Sequence, residues 1–258
     1  MGINKIVDLL GTIHNNLIFY PTKEISSSPS DIGIDFEEVF VDTDDKEKLY
    51  GYFLPAKTKT EKVTIYLHGN AQNVGDWYPA CVEIQKEVPV NMFLIDYRGY
   101  GSSTGVPSAE GVNIDAVSMY NFVLKQGFKP ENISIYGRSI GGAIGLELAS
   151  KVHVRSVVVQ SSFISFRKIA KELYPFIPDT FIKDNYWDSA KTIKNIKVPV
   201  LISHGDKDEI IPISHSKELF KSANEPKKLI ILKGATHNDI SRYFTSEYFQ
   251  ALEELLLK

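Results

Sequence analysis

The sequence predicts an α/β fold: a doubly wound, mostly parallel sheet with an N-terminal antiparallel hairpin and a small helical lid. Three observations carry this. Short apolar runs recur along the chain, helix-like segments separate them, and no linker divides the 258 residues. A chain of this length can bury a large core, so residues 1–258 are expected to form one domain.

The elements follow in order. Glu37 to Val41 and Leu49 to Leu54 are β-rich, and the polar stretch Asp42 to Lys48 between them makes them a hairpin. Val63–Leu67, Met92–Ile95, Ile133–Tyr136, Ser156–Val159, Pro199–Ile202 and Leu229–Leu232 are continuous apolar runs. Such runs suit strands buried on both faces, as in a parallel sheet. Residues 76–87, 108–126, 141–151, 213–223 and 240–257 carry helical periodicity. Strand–helix alternation implies crossovers, with ligands bound beyond the carboxyl ends of the strands.

Composition excludes several classes. Apolar residues make up 43% and charged residues 24%, and the formal net charge is −3. Lys and Arg are interleaved with Asp and Glu, so no basic face for nucleic acid is expected. The single cysteine, Cys81, permits no intramolecular disulfide and reads as a small core residue. It is compatible with a reducing compartment, and a cytoplasmic location is expected. Ile3, Ile6, Val7, Leu10, Ile13 and Leu17 recur at helical spacing. The run is too short and too interrupted to span a membrane. It predicts an amphipathic helix packed on the domain, or one making peripheral contact with a membrane surface.

The motif with most chemical content is Gly137-Arg138-Ser139-Ile140-Gly141. It matches G-x-S-x-G, follows a strand and opens a helix, which is the setting of a nucleophile elbow. The sharp turn crowds neighbouring side chains, and glycine relieves the crowding. A serine hydroxyl needs a base. Of six histidines, only His237, in Gly234-Ala235-Thr236-His237, lies at the end of the last strand. The base in turn needs a carboxylate to hold its tautomer. Asp206 and Asp208, in His204-Gly205-Asp206-Lys207-Asp208, both give the order Ser–Asp–His.

An oxyanion would need two amides. One is expected from Ile140, and the other from Asn70 or Ala71 in the loop after Leu67. His68 in that loop reads as a residue that shapes it. No metal-ligand spacing accompanies it, so no metal is expected. Asp96 to Gly105 is glycine-rich but fits no phosphate-loop pattern. It reads as a turn bordering the site, with Arg98 or Tyr100 shaping the pocket. Residues 162–197 form an insertion holding Phe163, Phe166, Tyr174, Phe176, Phe181, Tyr186 and Trp187, with Pro175 and Pro178 as helix breakers. This stretch is expected to overhang the serine as a lid. Phe163, Tyr174, Phe176 and Trp187 then either line an apolar acyl pocket or pack the lid onto the body.

HGNAQNVG, DYRGYGSSTG, YGRSIGGA, HGDKDEIIP and GATHNDI occur in this order. Together they resemble α/β-hydrolase-domain proteins of the bud-emergence-suppressor type and the related protein depalmitoylases. The likeness runs from about Leu17 to the C-terminus. It implies the α/β-hydrolase fold, with Ser139, Asp208 and His237 as nucleophile, acid and base. It favours Asp208 over Asp206, which then reads as a turn former. It implies a serine hydrolase that cleaves carboxylic esters or acyl-thioesters through an acyl-enzyme, without a cofactor. The rivals are a serine peptidase or amidase on the same residues, and a non-catalytic binding protein for apolar ligands.

Overall fold

The computed structural model describes residues 18–176, 178 and 186–258. The strands are β1 Tyr20–Pro21, β2 Glu37–Asp42, β3 Lys48–Leu54, β4 Val63–Leu67, β5 Ala71–Gln72, β6 Asn91–Ile95, β7 Ile133–Arg138, β8 Ser156–Gln160, β9 Val200–Gly205 and β10 Lys227–Leu232. The helices are α1 Val74–Glu87, α2 Ala109–Lys125, α3 Ile140–Ala149, α4 Phe166–Leu173, α5 Ser189–Thr192, α6 Ser214–Ser222 and α7 Ser246–Leu256. The expected N-terminal amphipathic helix lies outside the described residues, as does Phe181.

Eight strands form one sheet in the order β10-β9-β8-β7-β4-β6-β3-β2. The hairpin β2–β3 is antiparallel and joins β6 antiparallel, while β6, β4, β7, β8, β9 and β10 run parallel. Continuous apolar runs form these strands because both faces are covered. Val63, Ile65 and Leu67 of β4 join the core that holds Val112 and Ala116 of α2 and Ile144 of α3. Tyr66 points into the opposite core, with Tyr78 and Cys81 of α1 and Leu252 of α7. Burial pushes the Cys81 thiol up, so it stays protonated there.

From β4 the chain steps to β6 on one side and later returns to β7 on the other. The loops leaving β4 and β7 therefore diverge and open a crevice at their carboxyl ends. One element differs from expectation. Residues 240–257 do not form one helix: Ile240–Tyr243 is a 3-10 turn, and α7 starts afresh at Ser246. The Thr245 hydroxyl accepts from the Tyr248 amide at 3.2 Å and so caps a new start. Among the described residues, no helix is long and apolar enough to cross a membrane.

Candidate active site

Ser139 ends β7 and begins α3 at φ 56°, a conformation that L-residues rarely adopt. The flanking glycines make it possible. A Cβ at Gly137 would run into the Gly141 carbonyl, and one at Gly141 would run into the Leu67 carbonyl of β4. The Ser139 amide donates to Gln160 O at 2.9 Å, which ties the elbow to β8. Its hydroxyl faces His237 Nε2 at 3.2 Å.

His237 follows β10, and its Nδ1 lies 2.7 Å from Asp208 Oδ2. An ionised carboxylate only accepts, so Nδ1 carries the proton and Nε2 offers a lone pair to Ser139. Asp208 follows β9 and is fully enclosed at its side chain. Its Oδ1 accepts from the Ile210 and Ile211 amides at 3.0 and 2.8 Å. Burial alone pushes this carboxyl up. Hydrogen bonds from His204 and His237 outweigh that and hold it well below the usual carboxylate range. Among the described residues, it is Asp208 and not Asp206 that hydrogen-bonds the His237 ring. Asp206 Oδ1 accepts from the Gly234 amide at 2.6 Å, bridging two loops rather than closing its own turn.

The loop after β4 packs against the elbow at Gly69, where an added Cβ would sit 3.8 Å from Ser139 Cβ. Two strand residues on each side, β1 and β5, strap this loop to Tyr20 and Pro21. The Asn70 carbonyl accepts from the Tyr20 amide at 2.8 Å and the Tyr100 hydroxyl at 2.7 Å. A trans peptide then aims the Ala71 N–H the opposite way. Among the described residues, neither the Asn70 nor the Ile140 amide donates a hydrogen bond within the protein. His68 is buried under this loop, with Nδ1 2.7 Å from Gly69 O and Nε2 3.3 Å from Asp96 Oδ1.

A cavity of about 1190 Å³ opens over Ser139 and His237. Phe163 and Tyr174 line it, as the sequence suggests. Three other expected pocket residues do not. Tyr100 is enclosed behind the Asn70 carbonyl and supports the loop from below. Trp187 is buried against α2, where its Nε1 donates to Asn113 Oδ1 at 3.1 Å. Phe176 is 96% exposed. Their own hydrogen bonds hold the two buried rings in packing, whereas Phe176 faces solvent because the chain turns at Pro175 once α4 has ended at Leu173.

A family model described as the alpha/beta hydrolase fold matches residues 63–186. The protein YfhR of Escherichia coli K12 is 31% identical over 90% of this chain and 83% of its own. Protein bem46 of Schizosaccharomyces pombe is 30% identical over 91% of this chain and 81% of its own. The chain belongs to the α/β-hydrolase family. Human alpha/beta hydrolase domain-containing protein 17B is 30% identical over 79% of this α/β-hydrolase and 69% of its own chain. A solved Pyrococcus furiosus esterase, Pf2001, superposes with TM-score 0.74 at 21% identity, covering 93% of this chain and 97% of its own.

Several site residues of this α/β-hydrolase escaped sequence reasoning. Ile169 and Leu173 line the cavity from α4, and Trp77 lines it from α1. The α4 pair was readable from the spacing Phe166, Ile169, Ala170, Leu173, which makes one apolar stripe. His204 is a second imidazole at Asp208, with Nε2 3.2 Å from Oδ2 and 2.7 Å from Ile211 O. Its signal was its place four residues ahead of Asp208. Arg138 reaches from the elbow to donate to His237 O at 2.7 Å, which nothing local in the sequence indicates.

Proposed function

We propose that this α/β-hydrolase is a serine hydrolase that cleaves carboxylic esters or acyl-thioesters through an acyl-enzyme. The observation that carries the reading is the continuous contact of Asp208, His237 and Ser139, at 2.7 and 3.2 Å, with His237 and Ser139 lining the cavity and Asp208 enclosed behind them. Ser139 Oγ attacks the substrate carbonyl carbon as its proton passes to His237 Nε2. Asp208 stays ionised, holds the ring and stabilises the imidazolium. The amides of Ile140 and of Asn70 or Ala71 receive the oxyanion. Collapse expels the leaving group, which takes the proton from Nε2. Water then attacks the acyl-enzyme by the same route and frees the acid and Ser139.

The cavity wall formed by Ile169, Ala170 and Leu173 of α4, with Phe163, is apolar and suits an acyl chain. Similarity in fold to an esterase agrees with this reading. The test is labelling with a fluorophosphonate probe. Wild type is expected to label covalently and Ser139→Ala not at all. Equal labelling of both would falsify the assignment.

A further inference from the structure

Arg138 is the residue before Ser139, and among the described residues its charge has no counter-ion. It is only 8% exposed, yet it lines the cavity. Nη2 donates to the His237 carbonyl at 2.7 Å, Cζ stacks 4.8 Å from the Trp77 ring, and Nε is buried without a hydrogen-bond partner. Among the described residues, no carboxylate makes an ion pair with it. The acids that line the cavity are engaged elsewhere. Asp76 accepts from the Asn73 amide at 3.2 Å in the cap of α1, and Glu83 pairs with Lys86 at 2.7 Å. The neighbouring phenols of Tyr66, Tyr136 and Tyr248 are all pushed up by burial, so none supplies an anion.

A buried charge without a partner is costly unless something pairs with it. A carbonyl oxygen, the neutral Tyr66 phenol and an aromatic face offset that cost only in part. The direction of the chemistry says what the missing partner is. In the acyl-transfer reading, His237 hands its proton to the leaving atom, so the leaving group lies on the His237 side of Ser139. Arg138 precedes Ser139 in the chain, and Asn238, Ser241 and the exposed Arg242 follow His237 closely; all four line the cavity, to which α4 adds its apolar stripe.

We infer that Arg138, with Arg242 at the rim, binds an anionic oxygen group, phosphate or carboxylate, carried by the leaving group of the substrate. The inference rests on the acyl-transfer reading for its orientation. It makes the substrate amphiphilic, apolar at the acyl end and anionic at the other.

The test measures binding and needs no turnover. Ser139→Ala protein is titrated by calorimetry with octyl phosphate, the neutral 1-octyl glycerol ether and inorganic phosphate, below micellar concentrations. Octyl phosphate is expected to bind about tenfold or more tightly than the neutral ether, as a charge-assisted hydrogen bond implies. Adding Arg138→Gln is expected to abolish that preference, and Arg138→Lys to restore most of it. The exposed Arg242→Gln, which leaves the core untouched, is expected to lower it about threefold by removing a rim charge. Equal affinity for octyl phosphate and the ether overturns the inference whatever the variants do. So does a full preference without Arg138, which would leave this side chain only a strap on the His237 loop. Inorganic phosphate binding as tightly as octyl phosphate would assign the site to free anion and also overturn it. The acyl-transfer reading fails separately, on labelling that does not depend on Ser139.

Discussion

Ser139 is held in a strained conformation, at a typical cost of about 1–3 kcal/mol, and the strain lifts its hydroxyl clear of the sheet toward His237. What the hydroxyl meets there depends on one ionised carboxylate. Replacing Asp208 by Asn would leave the shape and lose the acceptor that fixes the His237 tautomer. We expect Asp208→Asn to lower kcat/KM for an ester by about 10³–10⁴-fold, read in steady-state assays. The same residue makes a pH prediction. Its folded pKa lies below the unfolded value of roughly 3.9, so the unfolded chain binds the proton first as the medium is acidified. Its contribution to stability is complete above that value and is lost as pH falls toward the folded one. Thermal melts should therefore show the largest gap between wild type and Asp208→Asn near neutrality. The gap should shrink below about pH 4, and a gap that widened on acidification would contradict the assignment of His204 and His237 as donors to this carboxylate.

At the scale of the element, α4 is the part that shapes the cavity without touching Ser139. It is capped by Ser165, whose hydroxyl accepts from the Lys168 amide at 3.2 Å. It is fastened to α6 by Lys168–Glu218 at 3.0 Å and His215–Glu172 at 2.7 Å. The Ile164 amide donates to His215 Nδ1, so Nε2 carries the proton that reaches Glu172. With the helix fixed, its inner residues set the length of the apolar arm. Ile169→Trp should fill that arm and lower the ratio of kcat/KM for a long-chain over a short-chain p-nitrophenyl ester by about tenfold or more. An unchanged ratio would place the acyl chain elsewhere. The start of α7 gives a second check. Thr245→Ala removes the hydroxyl that caps it and should cost about 1 kcal/mol in urea denaturation. The apolar periodicity from Ile240 onward hid this boundary, because a 3-10 turn and a helix can carry the same stripe.

For the whole molecule, the decisive fact is that β7, β9 and β10 run parallel, so Ser139, Asp208 and His237 emerge at one rim. The close approach of α3 to β4 sets the depth of that rim. Gly141→Ala would drive a Cβ into the Leu67 carbonyl and push α3 off the sheet. We expect a loss of roughly 1–3 kcal/mol or more in denaturant titration, together with lost probe labelling. Much of this was determined by the sequence alone. Apolar runs on a strand–helix beat dictate a sheet covered on both faces, and the glycines around Ser139 dictate the elbow, because both follow from sterics and burial within a few residues. Tertiary structure alone decided the rest. It put Tyr100 and Trp187 into packing, left Phe176 in solvent, and brought Arg138 to the site. Each of these outcomes depends on where a side chain points after segments far apart in the chain have packed, and no local period or spacing encodes that direction.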